Sequence, residues 1–240
     1  MDSYIAVDLE TTGLNPKTEK IIEIGALRVI CGKEAAQFHQ LVNPRRKLPP
    51  DIIKLTGITD EMVEECPGIE EIIEEFIQFC GDLPLLGHHV LFDYSFLKRA
   101  AVNQGILWEK DGIDTLTLCR AFMPEALSKT LGEACRFYHV ETGTSHRAVS
   151  DANSAHLLYQ AMKRTLGEEA LEAASPKRLI YKVKKEQPAS KRQKERLQEL
   201  LKYHKIEAPV QIEYLTRNEA SRLTDKILSE YRAYKRGEKP

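Results

Sequence analysis

No stretch of the sequence approaches the ~18–20 uninterrupted apolar residues that a membrane-spanning helix requires. Asp2, Asp8 and Glu10 interrupt the start, where a secretory signal needs an unbroken apolar segment. Cysteine is sparse. Cys31, Cys66, Cys80, Cys119 and Cys135 are odd in number, widely spaced and without a C-x-x-C pair, which argues against a disulfide framework and a zinc site. They read as buried thiols without chemistry. No internal repeat or low-complexity tract is found. Together these absences set the expectation of a cytoplasmic protein with no membrane partner.

What is there is an ordinary globular composition. With 240 residues, 42% hydrophobic and 30% charged, the chain can form one domain of about 150–200 residues and a small appendage. Its net charge of −1 conceals a division: residues 176–240 carry 18 Lys+Arg against 9 Asp+Glu, whereas residues 1–175 carry 17 against 27. An acidic unit followed by a basic one implies two parts with different partners.

Tyr4 to Glu10 reads as a buried strand, Ile21 to Val29 as a second and Ala35 to Val42 as a third, with a hairpin at Gly32-Lys33. Ile69, Ile72, Ile73, Phe76 and Ile77 then repeat at helical spacing. Short strands at Leu83 to Leu86 and around Ile113 alternate with helices over Phe92 to Val102, from Thr115, over Leu131 to Phe137 and over Arg147 to Leu166. Strands first and alternation afterwards predict an α/β layered domain, a mixed sheet flanked by helices. Composition places this domain at residues 1–172, a polar linker at 173–189 and a small basic helical module at 190–236. In the module, Ser190 to Gln193 and Thr216 to Glu219 match capping boxes. Each precedes an apolar stripe, Leu197, Leu200 and Leu201 and then Ala220, Leu223, Ile227 and Tyr231.

Asp8 and Glu10 stand two apart on the first strand, so both side chains project from one face of the sheet. Two carboxylates held that close need a cation or a basic partner, and hard oxygen ligands suit Mg²⁺ or Mn²⁺. The plainer alternative ends the strand at Val7 and leaves both in solvent. Thr11-Thr12-Gly13 follows at once, a loop whose hydroxyls and N–H groups can hold a phosphate or sugar hydroxyl, and Leu14 behind it can press on a terminal base.

Five segments now fall into a known order: Val7-Asp-Leu-Glu-Thr-Thr-Gly-Leu14, Ile22-Glu-Ile-Gly-Ala26, Gly87-His-His-Val-Leu-Phe-Asp-Tyr-Ser-Phe-Leu97, Asp114-Thr-Leu and His146-Arg-Ala-Val-Ser-Asp151. This set resembles the DEDD 3′→5′ exonucleases, in the branch with a catalytic histidine that includes the proofreading epsilon subunit of bacterial DNA polymerase III. The resemblance implies a ribonuclease-H-like fold around a mixed five-stranded sheet and release of nucleoside 5′-monophosphates from nucleic-acid 3′ ends. It implies two Mg²⁺ or Mn²⁺ ions, ~3.5–4 Å apart, with Asp8 bridging both, Glu10 and Asp151 completing one site and Asp93 the other. His146 would be the general base, a task that suits an imidazole near neutral pH. Taken singly, Asp93 and Asp151 are also ordinary first-turn helix acids and His146 a surface residue capping a helix. The remaining histidines are given no catalytic role.

Ile58, His89 and Phe96 would lie beside the terminal nucleotides, and Glu23 either holds the terminal sugar hydroxyl or faces solvent. Two positions depart from the usual pattern: Thr56, where a histidine often precedes Gly57-Ile58, and His89, where asparagine is common. Both bear on substrate preference rather than on the metal set. The expected partner is a nucleic acid with a single-stranded 3′ end, DNA ahead of RNA, together with a DNA polymerase or another replication or repair protein. In the tail, Lys191, Arg192, Lys194, Arg196, Lys202 and Lys205 give one helix a cationic face. That face is either simply solvated or recovers affinity for phosphates that the acidic domain repels, while Leu215, Leu223, Ile227, Tyr231 and Tyr234 could instead dock a protein. A DNA exonuclease leads these readings, an RNA-trimming enzyme of the same chemistry comes second, and a non-catalytic scaffold comes last.

Overall fold

The computed structural model describes residues 2–143 and 146–235, without the side chains of 168–171 and 231–235. Thr144, Ser145 and the side chains of Tyr231 and Tyr234 therefore lie outside the described residues. Strand β1 (Tyr4–Thr11) is buried on both faces, which is why its sequence is nearly continuous in apolar residues. Ile5, Val7 and Leu9 enter one core, and Tyr4 and Ala6 enter another. Period two then assigns Asp8 and Glu10 to the second face.

β2 (Ile21–Ile30) pairs antiparallel with β1, and β3 (Lys33–Leu41) pairs antiparallel with β2. The register sets Asp8 opposite Gly25 and Glu10 opposite Glu23, with a bulge immediately after that last pair. Two short helices that the sequence reading did not include follow, α1 (Pro50–Thr56) and α2 (Asp60–Glu64). Then come α3 (Ile69–Cys80), β4 (Leu85–Gly87), α4 (Val90–Asn103), β5 (Asp111–Asp114), α5 (Thr115–Phe122), α6 (Leu131–Phe137) and α7 (Ala148–Ala173). Gly167, at φ 66°, breaks α7 near the end expected for it.

β4 lies parallel to β1, and β5 lies parallel to β4. A sixth strand, β6 (Lys177–Arg178), pairs antiparallel with β5 and gives the order β3-β2-β1-β4-β5-β6. The sheet therefore has six strands where five were expected. β6 is two exposed basic residues inside the stretch read as linker, held by backbone pairing, so it leaves no apolar pattern to find. Phe76 of α3 and Tyr94 and Leu97 of α4 fill one face of the sheet. Leu118, Cys135, Ala155, Leu158 and Met162 of α5 to α7 fill the other.

The chain divides into two compact units, the second comprising Arg45–Lys47 and the residues from Lys185 onward. In it, α8 (Lys191–His204) and α9 (Arg217–Lys235) pack through Leu197, Leu201, Ala220 and Ile227. Both capping boxes form: Ser190 Oγ accepts from Gln193 N–H at 3.3 Å, and Thr216 N–H donates to Glu219 Oε2 at 2.9 Å. A 3₁₀ turn at Ile212–Tyr214 joins the helices. Arg45–Lys47 run antiparallel beside the segment before that turn, with Lys47 N–H on Pro209 O and Gln211 N–H on Arg45 O. Arg46 reaches Glu219 at 3.1 Å, and the Arg45 guanidinium sits 4.4 Å from the centre of the Tyr214 ring.

Cys80, Cys119 and Cys135 are buried as expected, whereas Cys66 is only half-buried and Cys31 is exposed at the β2–β3 turn. No helix among the described residues is long and apolar enough to cross a membrane.

Candidate active site

The site forms where β1 and β4 end and α4 and α7 begin, the edge at which open α/β sheets bind ligands. β4 stops at Gly87, so Leu9 N–H lacks a ladder partner on that side. The Oδ1 atom of Asp93, in the first turn of α4, accepts it at 3.0 Å. Asp93 is 4% exposed and is brought by this bond against the strand that carries Asp8 and Glu10.

On the other side of β1, α7 starts directly above β2. A Cβ at Gly25 would lie 2.1 Å from Val149 N and 2.2 Å from the carbonyl carbon of Ala148, so only glycine lets the helix seat there. Because Gly25 faces Asp8 across the ladder, this seat brings the first turn of α7 beside the acidic pair. Asp151 lies in that turn, and its Oδ2 accepts the His146 N–H at 2.8 Å. His146 is exposed and adopts the left-handed backbone at φ 62°. Ligand atoms of Glu10, His146 and Asp151 all fall within 4.8 Å of one another.

The electrostatics match this crowding. Burial first, and then the charges of Asp93, Glu10, Asp151 and Glu23, hold the Asp8 carboxyl well above the usual range. Burial, reinforced by Asp151 and Glu23 and opposed by Arg147, pushes Glu10 up to about 7. Asp93 is also raised well above its ordinary value, burial outweighing its backbone hydrogen bonds, and Asp151 is raised by burial against the His146 N–H. Four carboxyls in this condition either retain protons or take a cation, and an all-oxygen set of this kind fits a hard divalent ion.

The other expected site residues divide. Leu14 is 84% exposed and free to meet a base. His89 is exposed at φ 78°, its N–H on Asp114 Oδ1 at 2.9 Å and its ring stacked on Phe92 at 6.3 Å. The threonine hydroxyls are spent on the loop itself: Thr11 Oγ1 donates to Gly13 O at 2.8 Å and Thr12 Oγ1 to Glu19 Oε2 at 2.7 Å. Ile58 and Phe96 are core residues rather than surface ones. Ile58 is fully buried with Ile22, Leu48 and Val63, and Phe96, 4% exposed, packs on Phe92, so neither offers surface to a nucleotide.

Glu23 does not face solvent. It is 1% exposed and accepts from Arg147, His39 and the Ala148 N–H. Arg147, His39 and Asp114 were not singled out from sequence. Arg147 stands inside the His146 segment and Asp114 heads its own, so position in the motif was the available signal, while His39 on β3 had none.

Residues 5–159 match the RNase T family model, described as exonuclease. The chain is 36% identical over 162 residues to the PolC-type DNA polymerase III of Halalkalibacterium halodurans, covering 67% of this chain and 11% of that protein. It is 34% identical over 174 residues to the PolC-type enzyme of Bacillus subtilis, covering 71% and 12%. The chain thus spans only about a ninth of the length of these relatives. Exonuclease X in complex with 5′-overhanging duplex DNA superposes with a TM-score of 0.54 at 25% identity, covering 71% of this chain and 97% of that one. Escherichia coli exonuclease I in complex with a dT13 oligonucleotide shares the fold, with a TM-score of 0.62 at 16% identity over 72% of this chain and 43% of that one. The matched segment begins in β1, ends in α7 and includes all four carboxylates and His146, and on that ground the chain belongs to the exonuclease family.

Proposed function

We infer that the domain is a Mg²⁺- or Mn²⁺-dependent 3′→5′ exonuclease that releases nucleoside 5′-monophosphates, with DNA as the favoured substrate. The observation that carries this reading is the convergence of Glu10, His146 and Asp151 within 4.8 Å, on the edge of β1 that Asp93 closes from the opposite side. Asp8, Glu10 and Asp151 would hold one ion, and Asp8 with Asp93 a second. When bound, the ions supply Lewis-acid activation of water and stabilise charge on the departing 3′ oxygen.

The chain's own residues supply the rest. His146, exposed beside Glu10 and Asp151, accepts the proton of the attacking water as general base. Leu14 presses on the terminal base, and the His89 ring, carried on Phe92, contacts the adjoining nucleotide. The names of the PolC-type relatives and the DNA held by exonuclease X favour DNA over RNA as substrate and a replicative polymerase as protein partner.

The deciding experiment compares 5′-labelled single-stranded DNA, single-stranded RNA and very short oligoribonucleotides, each with Mg²⁺ and with chelator. The expected result is stepwise shortening of DNA from its 3′ end that stops in chelator. Undiminished turnover in chelator would overturn the metal assignment, and faster cleavage of RNA would replace the DNA reading with RNA trimming.

A further inference from the structure

Glu23 lies on β2, directly opposite Glu10, and both carboxyls project from the α7 face of the sheet. A second acid beside an acidic site is unfavourable by itself, and a buried ion pair is weak as a source of stability, so its presence calls for a geometric reason. The hydrogen bonds supply one. Oε1 accepts from Arg147 Nη2 at 2.9 Å, Arg147 Nε at 3.2 Å and His39 Nε2 at 2.7 Å, while Oε2 accepts from the Ala148 N–H at 3.0 Å.

Ala148 is the first residue of α7, whose leading N–H groups have no partner within the helix. Glu23 therefore caps α7 from a neighbouring strand and grips the side chain of the residue just before it. That residue, Arg147, directly follows His146, and Asp151 comes one turn later. His146 itself has a left-handed backbone, a conformation a non-glycine residue holds only where the surroundings impose it.

We propose that Glu23 is a positioning residue for the nuclease site: by fixing Arg147 and the Ala148 N–H, it holds His146 in reach of Glu10 and Asp151. The proposal rests on the role given to His146 above. With both oxygens occupied, Glu23 is not a ligand for the terminal sugar. It acts through the start of α7.

The test uses the full chain with Glu23→Ala, the nearly isosteric Glu23→Gln, His146→Ala, and the Glu23→Ala/His146→Ala double variant, on a short single-stranded DNA with Mg²⁺. Glu23→Ala is expected to lower kcat by about 10²-fold, the scale of a misplacement near 1 Å, with KM nearly unchanged. Glu23→Gln, which keeps an oxygen for the Ala148 N–H, should lose about tenfold or less. In the His146→Ala background the alanine change should add less than about threefold, because both lesions remove one function. Without any ion, amide exchange at Ala148 should be faster in Glu23→Ala than in the parent.

Fully multiplicative losses in the double variant, or a kcat unchanged in both single Glu23 variants, would overturn the proposal. So would unaltered exchange at Ala148. A purely structural role would lower thermal stability without sparing KM or cancelling in the double variant. A fully active His146→Ala protein would remove the general-base reading, and the positioning role with it, whereas an inactive one beside a normal Glu23→Ala would sink the positioning role alone.

Discussion

Glu10 and Glu23 face each other directly across the β1–β2 ladder, yet their carboxyls are displaced in opposite directions. Burial pushes Glu10 up to about 7, with Asp151 and Glu23 adding to it. Burial also works to raise Glu23, but hydrogen bonds from Arg147, Ala148 and His39 outweigh it and hold this carboxyl below its ordinary value. One member of the pair is satisfied by protein, and on the reading proposed above a bound cation would satisfy the other.

The first prediction concerns pH. A carboxyl raised in the folded state binds more protons there than when unfolded, so its contribution to stability declines as pH rises. For Glu10 the window runs from its ordinary 4.5 to about 7, and Asp8, Asp93 and Asp151 act in the same sense. Glu23, lowered instead, contributes stability that is lost only as pH falls through its folded value. Metal-free protein should thus lose thermal stability between about pH 5 and pH 8, and Mg²⁺ should restore more of it at the higher pH. Melting curves in chelator and in Mg²⁺ across this range check it. A Mg²⁺ increment that does not grow with pH would count against the four-carboxylate site.

The second prediction follows from the same crowding. Asp8→Asn removes a carboxyl whose ionisation Asp93, Glu10, Asp151 and Glu23 all oppose, so it should abolish Mg²⁺-dependent cleavage and raise the melting temperature of metal-free protein. Calorimetry beside an activity assay decides, and a variant destabilised in chelator would show that Asp8 has a compensating partner inside the protein.

His146→Ala should lower kcat by about 10²–10⁴-fold while leaving KM close to that of the parent. Steady-state kinetics on a defined oligonucleotide separate the two constants. An effect confined to KM would make this histidine a binding residue.

Gly25→Ala tests the seat of α7. The added methyl would stand 2.1 Å from Val149 N, so the helix must shift. Such overpacking costs about 1–3 kcal/mol or more, roughly 2–4 °C of melting temperature for each kcal/mol in a domain of this size. Activity should fall further than stability accounts for, since Asp151 moves with the helix. Wild-type turnover in this variant would show that the start of α7 need not be held so closely.

The basic face of α8 provides the last. Lys191, Arg192 and Arg196 are exposed, and reversing their charge should weaken binding of long single strands without changing kcat on short ones. For every phosphate no longer neutralised, the log–log salt dependence should flatten by about 0.7. Binding isotherms at several salt concentrations measure this, and equal slopes for parent and variant would assign the face to plain solvation.

The sequence displayed the strands, the helices from Ile69 onward and both capping boxes, because each carries a local apolar period or a fixed polar pair. It displayed the four carboxylates and His146 as a spaced set. It did not display β6, whose two residues are ordered by backbone pairing alone, or α1 and α2, which are too short for periodicity to emerge. Ile58 and Phe96 were misplaced because nearness to a motif along the chain does not say which way a side chain points. Glu23 was left between a sugar contact and solvent, and its burial excludes solvent: its partners lie 16 and 124 positions away, on a neighbouring strand and at the start of a helix.

The three residues Arg45–Lys47 have a consequence for how this protein could be divided. They complete the second unit by lying beside its 209–211 segment, and Arg46 bonds Glu219, itself only 8% exposed in the first turn of α9. A fragment cut at the obvious boundary, beginning at Lys185, would lack this borrowed strip and leave a shielded carboxylate without its guanidinium. The C-terminal unit is therefore not a transferable cassette. Grafted elsewhere by shuffling or by cloning, it would have to take the loop after β3 with it.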